Sequence, residues 1–162
     1  MDSALTLVLW SLGRLRSEEL PIVAGEWLSK GLDSASLRLL AGETSPIMSD
    51  AGPLFEKCLA ELGFVAPNKN EALLALAKHC AQEIVDGNVT PYEGAGRICR
   101  EVASQMDHPS PLFLSFVGAA SELDDVPERS FDDGVDRSGY VRELEDSIIV
   151  SAKEMLGGAN QC

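Results

Sequence analysis

Aromatic side chains are scarce, at 6% of the 162 residues, so any core this chain builds must be filled mainly by aliphatic groups. Basic side chains are scarce as well. Thirteen lysines and arginines stand against twenty-six aspartates and glutamates, which gives a formal charge of −13 and a pI near 4.4. A field of that sign repels phosphate and speaks against nucleic-acid binding. Apolar runs fall short of the roughly 18 residues that a membrane span needs. The short run Ala4 to Trp10 follows Asp2, with no lysine or arginine before it and no small-residue cleavage site after it, so it is expected to be a core helix and not a secretory leader. Cys-x-x-Cys spacing is also missing. The cysteines at 58, 80, 99 and 162 are far apart in a chain large enough to fold without disulfides. Reduced, cytoplasmic thiols are expected, with Cys58, Cys80 and Cys99 serving as small buried hydrophobes. Cys162 ends the chain, whereas prenylation needs the cysteine four from the end.

Catalytic patterns are equally thin. The two histidines lie apart. His79 has Glu83 four residues on, an ordinary surface pair on a helix, and His108 precedes a proline in a connector. No His-Glu-x-x-His, no phosphate-binding glycine loop and no Gly-x-Ser-x-Gly turn occurs, so the sequence calls for no enzyme activity, no metal and no cofactor. Thiols on apolar helix faces have raised pKa values and make poor nucleophiles. A helix-turn-helix can be drawn through Trp27 to Leu40, but its second helix offers only Arg38, so it reads as an ordinary helix pair.

What is present is helical periodicity. Leu5, Leu9, Leu12 and Leu15 repeat at three to four residues. Ser17 can cap a following helix that carries Pro21, Ile22, Val23, Trp27 and Leu28 and stops at Gly31. Asp33 can cap a short helix from Ser34 to Ala41. Further helices are expected from about Ser49 to Leu62, ending at Gly63, and from Glu71 to Asp86, capped by Asn68 or Asn70 and stopped by Gly87. Thr90-Pro91-Tyr92-Glu93 has the form of a capping box with proline at the first helical position. The small Gly94-Ala95-Gly96 that follows suggests close helix packing. Leu112 to Leu123 is apolar on most sides and is expected at the centre. A last helix runs from about Val135 to Leu156, with Tyr140, Val141, Leu144, Ile148, Ile149, Ala152 and Met155 inward. Nothing alternates with the period of a strand. The expected fold is all-α, residues 1–162 forming a single-domain bundle of about eight helices, with a short α-solenoid of helix pairs as the alternative.

The excess charge is uneven. Residues 119–162 hold four basic and eleven acidic side chains, and Glu122, Asp124, Asp125, Glu128, Asp132, Asp133 and Asp136 crowd into fifteen positions relieved only by Arg129. A solvated loop that favours the start of the last helix is the plainest explanation. A calcium loop is not, because the order of acids and glycine is wrong. A docking surface for a basic protein is the third reading, since clustered carboxylates speed encounter and suppress wrong partners. Tyr92 is a candidate anchor for such an interface.

Gly31-Leu32-Asp33-Ser34 with Leu37-Arg38-Leu39-Leu40-Ala41-Gly42, then Leu59-Ala60-Glu61-Leu62-Gly63, and then Asp86-Gly87 with Thr90 to Ala95, resemble stretches of a loose group of uncharacterised small bacterial all-helical proteins. The resemblance implies a small helical cytoplasmic protein and transfers no catalytic residue. In size and charge the chain is also similar to immunity proteins that neutralise toxins. The expected function is therefore a non-enzymatic acidic binding module of immunity or antitoxin type. Its partner would be a basic protein such as a nuclease toxin domain, with no nucleic acid or membrane bound. The alternative is a helical module that self-associates as a homo-oligomer.

Overall fold

The computed structural model describes residues 2–126 and 137–157. These form eight α-helices and no strand: α1 (Ser3–Ser11), α2 (Glu19–Ser29), α3 (Ala35–Ala41), α4 (Met48–Leu62), α5 (Lys69–Val85), α6 (Pro91–Glu101), α7 (Pro111–Asp125) and α8 (Arg137–Gly157). A 3-10 turn, Ala103–Gln105, follows α6. The helices fall into two compact units, Met1–Ala72 and Leu73–Cys162. No helix among the described residues is long and apolar enough to cross a membrane.

Glycine ends four of the helices, α1, α2, α4 and α5, in the same way. At Gly13, Gly31, Gly63 and Gly87 the backbone turns left-handed, with φ of 64°, 86°, 72° and 73°. At Gly31 its own amide bonds to Leu28 O and the next amide, Leu32, reaches back to Trp27 O, each at 3.0 Å. This pair of bonds satisfies carbonyls that the helix end leaves without partners. Gly13 was not expected as a stop, because Leu12 and Leu15 prolong the apolar period. Its turn sends the Arg14 amide back to Leu9 O at 2.9 Å, so α1 ends early and Leu15 is buried outside it.

In the first unit, α2 turns Leu20, Val23, Ala24 and Trp27 inward, α3 adds Leu37 and Leu40, and α4 adds Ala51, Phe55, Cys58 and Leu59. Both tryptophans and two of the five phenylalanines lie here. Trp10 meets Phe55 edge-on at 5.0 Å between centroids, and Trp27 lies 5.7 Å from Phe55 and 5.3 Å from Phe64. Two expected caps are placed differently. Ser17 does not cap α2. Instead the Glu19 carboxylate accepts from the Arg16 amide at 2.8 Å. Ser34, not Asp33, caps α3, accepting from the Leu37 amide at 3.1 Å. Asp33 instead takes two N–H bonds from Arg38, at 2.7 and 2.5 Å, which satisfies the only base of the would-be recognition helix.

The start of α3 is also held by α4. The Glu61 carboxylate accepts from the Ser36 amide at 2.9 Å and from its hydroxyl at 2.8 Å. The Ser36 amide, the Ser36 hydroxyl and the Ser34 hydroxyl hold the Glu61 carboxyl below the usual carboxylate range. A carboxylate depressed in the folded state stabilises fully above its ordinary pKa of 4.5, and that stabilisation is lost as pH falls through the lower, folded value. Glu61→Gln should therefore melt below wild type at neutral pH, and the gap should narrow as pH falls below 4.5 toward the lowered folded value. Circular-dichroism melts along a series of falling pH check this; a gap that does not narrow in acid would show that the carboxylate's charge is not what holds α3.

The boundary between the units falls within α5, whose start Asn68 caps reciprocally with Glu71. Asn68 Oδ1 accepts from the Glu71 amide at 3.0 Å, and Glu71 Oε2 accepts from the Asn68 amide at 2.9 Å. Leu73, Leu76, Cys80 and Ile84 form its buried stripe. Thr90 and Glu93 make the expected capping box at the start of α6, with Pro91 at the first position. Gly94 lies hard against α5: a Cβ there would sit 2.2 Å from Ile84 Cγ1. Helix α7 packs against both α6 and α8, and α6 also meets α8. Contrary to the expectation for its apolar sequence, α7 is not buried all round. Phe113, Phe116, Ala119 and Ala120 face inward while Leu114 is 53% exposed. On α8, Ile148, Ala152 and Met155 are buried; Tyr140, Val141, Leu144 and Ile149 are only half-buried.

Candidate functional site

The site is built where α6, α7 and α8 meet. The capping box fixes the first turn of α6, and with it Tyr92, which is 42% exposed. The Tyr92 hydroxyl donates to the Asp124 carboxylate on α7. Tyr140, in the first turn of α8, donates its hydroxyl to Glu122 Oε2 at 2.6 Å. Glu122 and Asp124 are two residues apart, about 200° around a helix, so one is presented to α8 and the other to α6. Both tyrosines of the chain thus direct their hydroxyls to carboxylates of α7. Arg137 adds a third tie, donating from Nη2 to Val126 O at 3.0 Å, where a cation complements the C-terminal end of α7. The bond to Asp124, and the negative charge beside it, push the Tyr92 phenol above its ordinary pKa, so it remains a neutral donor.

Tyr92 lines two open cavities. One, of about 230 Å³, is bounded by Tyr92, Leu123, Val126, Val141 and Glu145. The other, of about 400 Å³, is bounded by Val89, Tyr92, Glu93, Arg97 and Arg100. Arg97 is neutralised locally. Its Nη1 donates to Glu83 Oε2 at 2.6 Å, and Glu101 lies 3.7 Å from its Nε. His79 approaches the other oxygen of Glu83 at 3.9 Å, the expected surface pair.

Of the acidic cluster read from the sequence, Glu122, Asp124 and Asp125 lie on the last turns of α7 and are exposed. Glu128, Asp132, Asp133 and Asp136 lie outside the described residues. Sequence reasoning missed the groove walls Leu123, Val126, Val141 and Glu145, and it took Tyr140 for a core residue. No linear signal joins these positions, which come from separate helices. The one usable clue was the rarity of tyrosine in a chain rich in acids.

Among the described residues, no group of three or more histidines, cysteines, aspartates or glutamates is placed to hold a metal ion. Burial pushes the Cys58 thiol up to about 11 and raises that of Cys99 as well. Cys58, Cys80 and Cys99 are free thiols. No protein-family model matches the chain, and no curated protein or solved structure matches it.

Proposed function

We propose that this protein is a non-enzymatic acidic binding module of immunity or antitoxin type, which neutralises a basic protein partner, such as a nuclease toxin, by direct contact through the α6–α7–α8 face. The observation that carries the reading is the 230 Å³ groove. Its walls are apolar at Leu123, Val126 and Val141, with the Tyr92 ring on one side and Glu145 among them. Asp124 holds the Tyr92 hydroxyl, and Asp125 lies open at the end of the same helix. A lysine or arginine of the partner can lay its alkyl stem along such walls and bring its charge to the carboxylates. The chain's net charge of −13 steers a cationic partner toward it.

The test begins with capture on the immobilised protein, followed by association kinetics with the purified partner. The partner should be basic, its on-rate should fall steeply with salt, and Asp125→Lys with Glu145→Lys should slow association by at least about tenfold at low salt. A neutral or acidic partner, or a rate that ignores both the salt and the reversal, sinks the reading. So does a stable homodimer in light scattering that buries Tyr92, which supports self-association instead.

A further inference from the structure

The cavity on the other side of Tyr92 has the opposite electrostatic character. In a chain with twice as many acids as bases, the larger of the two cavities around this tyrosine is lined by two arginines and a single glutamate. The glutamate is turned away from the role of counter-ion. Glu93 Oε2 accepts from the Thr90 amide at 3.2 Å and from the Thr90 hydroxyl at 2.8 Å, closing the capping box. Arg97 is balanced by Glu83 and Glu101. Arg100 is different: among the described residues, no carboxylate forms an ion pair with it.

Arg100 is also placed. Tyr92, Gly96 and Arg100 are four residues apart in turn and share one stripe of α6. A Cβ at Gly96 would stand 2.8 Å from Arg100 Nη1, so the guanidinium lies back over the glycine instead of reaching out from the helix. The absent side chain makes room for the charge beside the Tyr92 ring and Val89. A guanidinium presents a planar fork of donors that matches a carboxylate, and the valine and tyrosine offer apolar surface next to it. A cavity of about 400 Å³, apolar with a few placed polar groups, is the size and make-up of a small-molecule site.

We infer that this cavity binds a small organic carboxylate with an apolar body, the carboxylate on Arg100 and the body against Val89 and the ring of Tyr92. The ligand is a monoanion, since one unbalanced guanidinium faces it and Glu93 stands close by. Such a site shares the Tyr92 ring with the docking groove but does not need the basic partner.

The experiment is an NMR titration of the full isotopically labelled chain with benzoate, at constant ionic strength. Benzamide is the uncharged match in shape. Saturable shifts are expected at Tyr92, Gly96 and Arg100 in the millimolar range. Arg100→Gln should weaken benzoate at least about tenfold, benzamide should bind at least as weakly to wild type, and Lys153→Gln, the same charge change on an exposed residue of α8, should leave benzoate binding unchanged. Shifts that do not saturate overturn the inference. So do equal affinities of wild type and Arg100→Gln, equal binding of benzamide and benzoate, or a loss in Lys153→Gln as large as that in Arg100→Gln.

Discussion

Phe55→Ala is expected to destabilise the first unit by about 3–5 kcal/mol, the range for truncating a buried phenylalanine. The residue is fully buried, and its ring joins the two tryptophans: Trp10 meets it edge-on and Trp27 lies tilted against it. Trp27 depends on that contact more than an ordinary buried indole does. Its Nε1–H has no hydrogen-bond partner among the described residues, so ring packing against Phe55 and Phe64 holds it. The stiff indoles that line the vacated space cannot collapse into it as aliphatic chains would, which places the cost in the upper part of the range. Since a domain is stable by only about 5–15 kcal/mol in total, such a loss is a large share. Both tryptophans of the chain are in this unit, so tryptophan fluorescence during urea unfolding reports on it selectively. The fluorescence midpoint should move to much lower urea. A change worth less than about 1 kcal/mol would show that the aromatic contacts are not what holds the unit together.

Where the helices were legible in the sequence, the signal was local chemistry. Thr90 to Glu93 specified a cap by side-chain reach alone, and Gly31, Gly63 and Gly87 stopped helices because only glycine takes the left-handed turn without strain. The errors came where a local pattern competed with another. The apolar spacing of Leu12 and Leu15 outlasted the helix that Gly13 had already ended. Asp33 and Ser34 are both good caps, and the Asp33–Arg38 pair decided between them. For the site, linear density named Glu122 and Asp124 but not what they touch. Helical geometry sends Glu122 to Tyr140 and Asp124 to Tyr92. The groove and the Arg100 cavity depend on what three helices bring together, and their walls could be recognised only after α6, α7 and α8 were packed.

Helix α6 comes close to α5 at Gly94, and Gly94→Val is expected to break that packing at a cost of about 3 kcal/mol, the upper end for overpacking. A Cβ at this position would come within 2.2 Å of Ile84 Cγ1 and 2.6 Å of its Cδ1, and within 3.3 Å of Val89 Cγ2. Ile84 is itself buried, so its side chain cannot swing into solvent without moving its neighbours. The added bulk must instead push α6 outward, and Tyr92, two residues before, moves with it. Helix propensity predicts the opposite sign, since glycine inside a helix costs roughly 1 kcal/mol relative to alanine. Gly118→Ala on α7 separates the two effects. It is an exposed helical glycine with nothing within 4 Å of its would-be Cβ, and it should gain about 0.5–1 kcal/mol. At position 94 the contact should overwhelm that gain. Removing the obstacle should then restore it: Gly94→Ala combined with Ile84→Ala should cost less than the sum of the single changes, the coupling expected of residues in direct contact. Additive costs in thermal melts would mean that α6 does not rest on Ile84, and the placement of Tyr92 would need another cause.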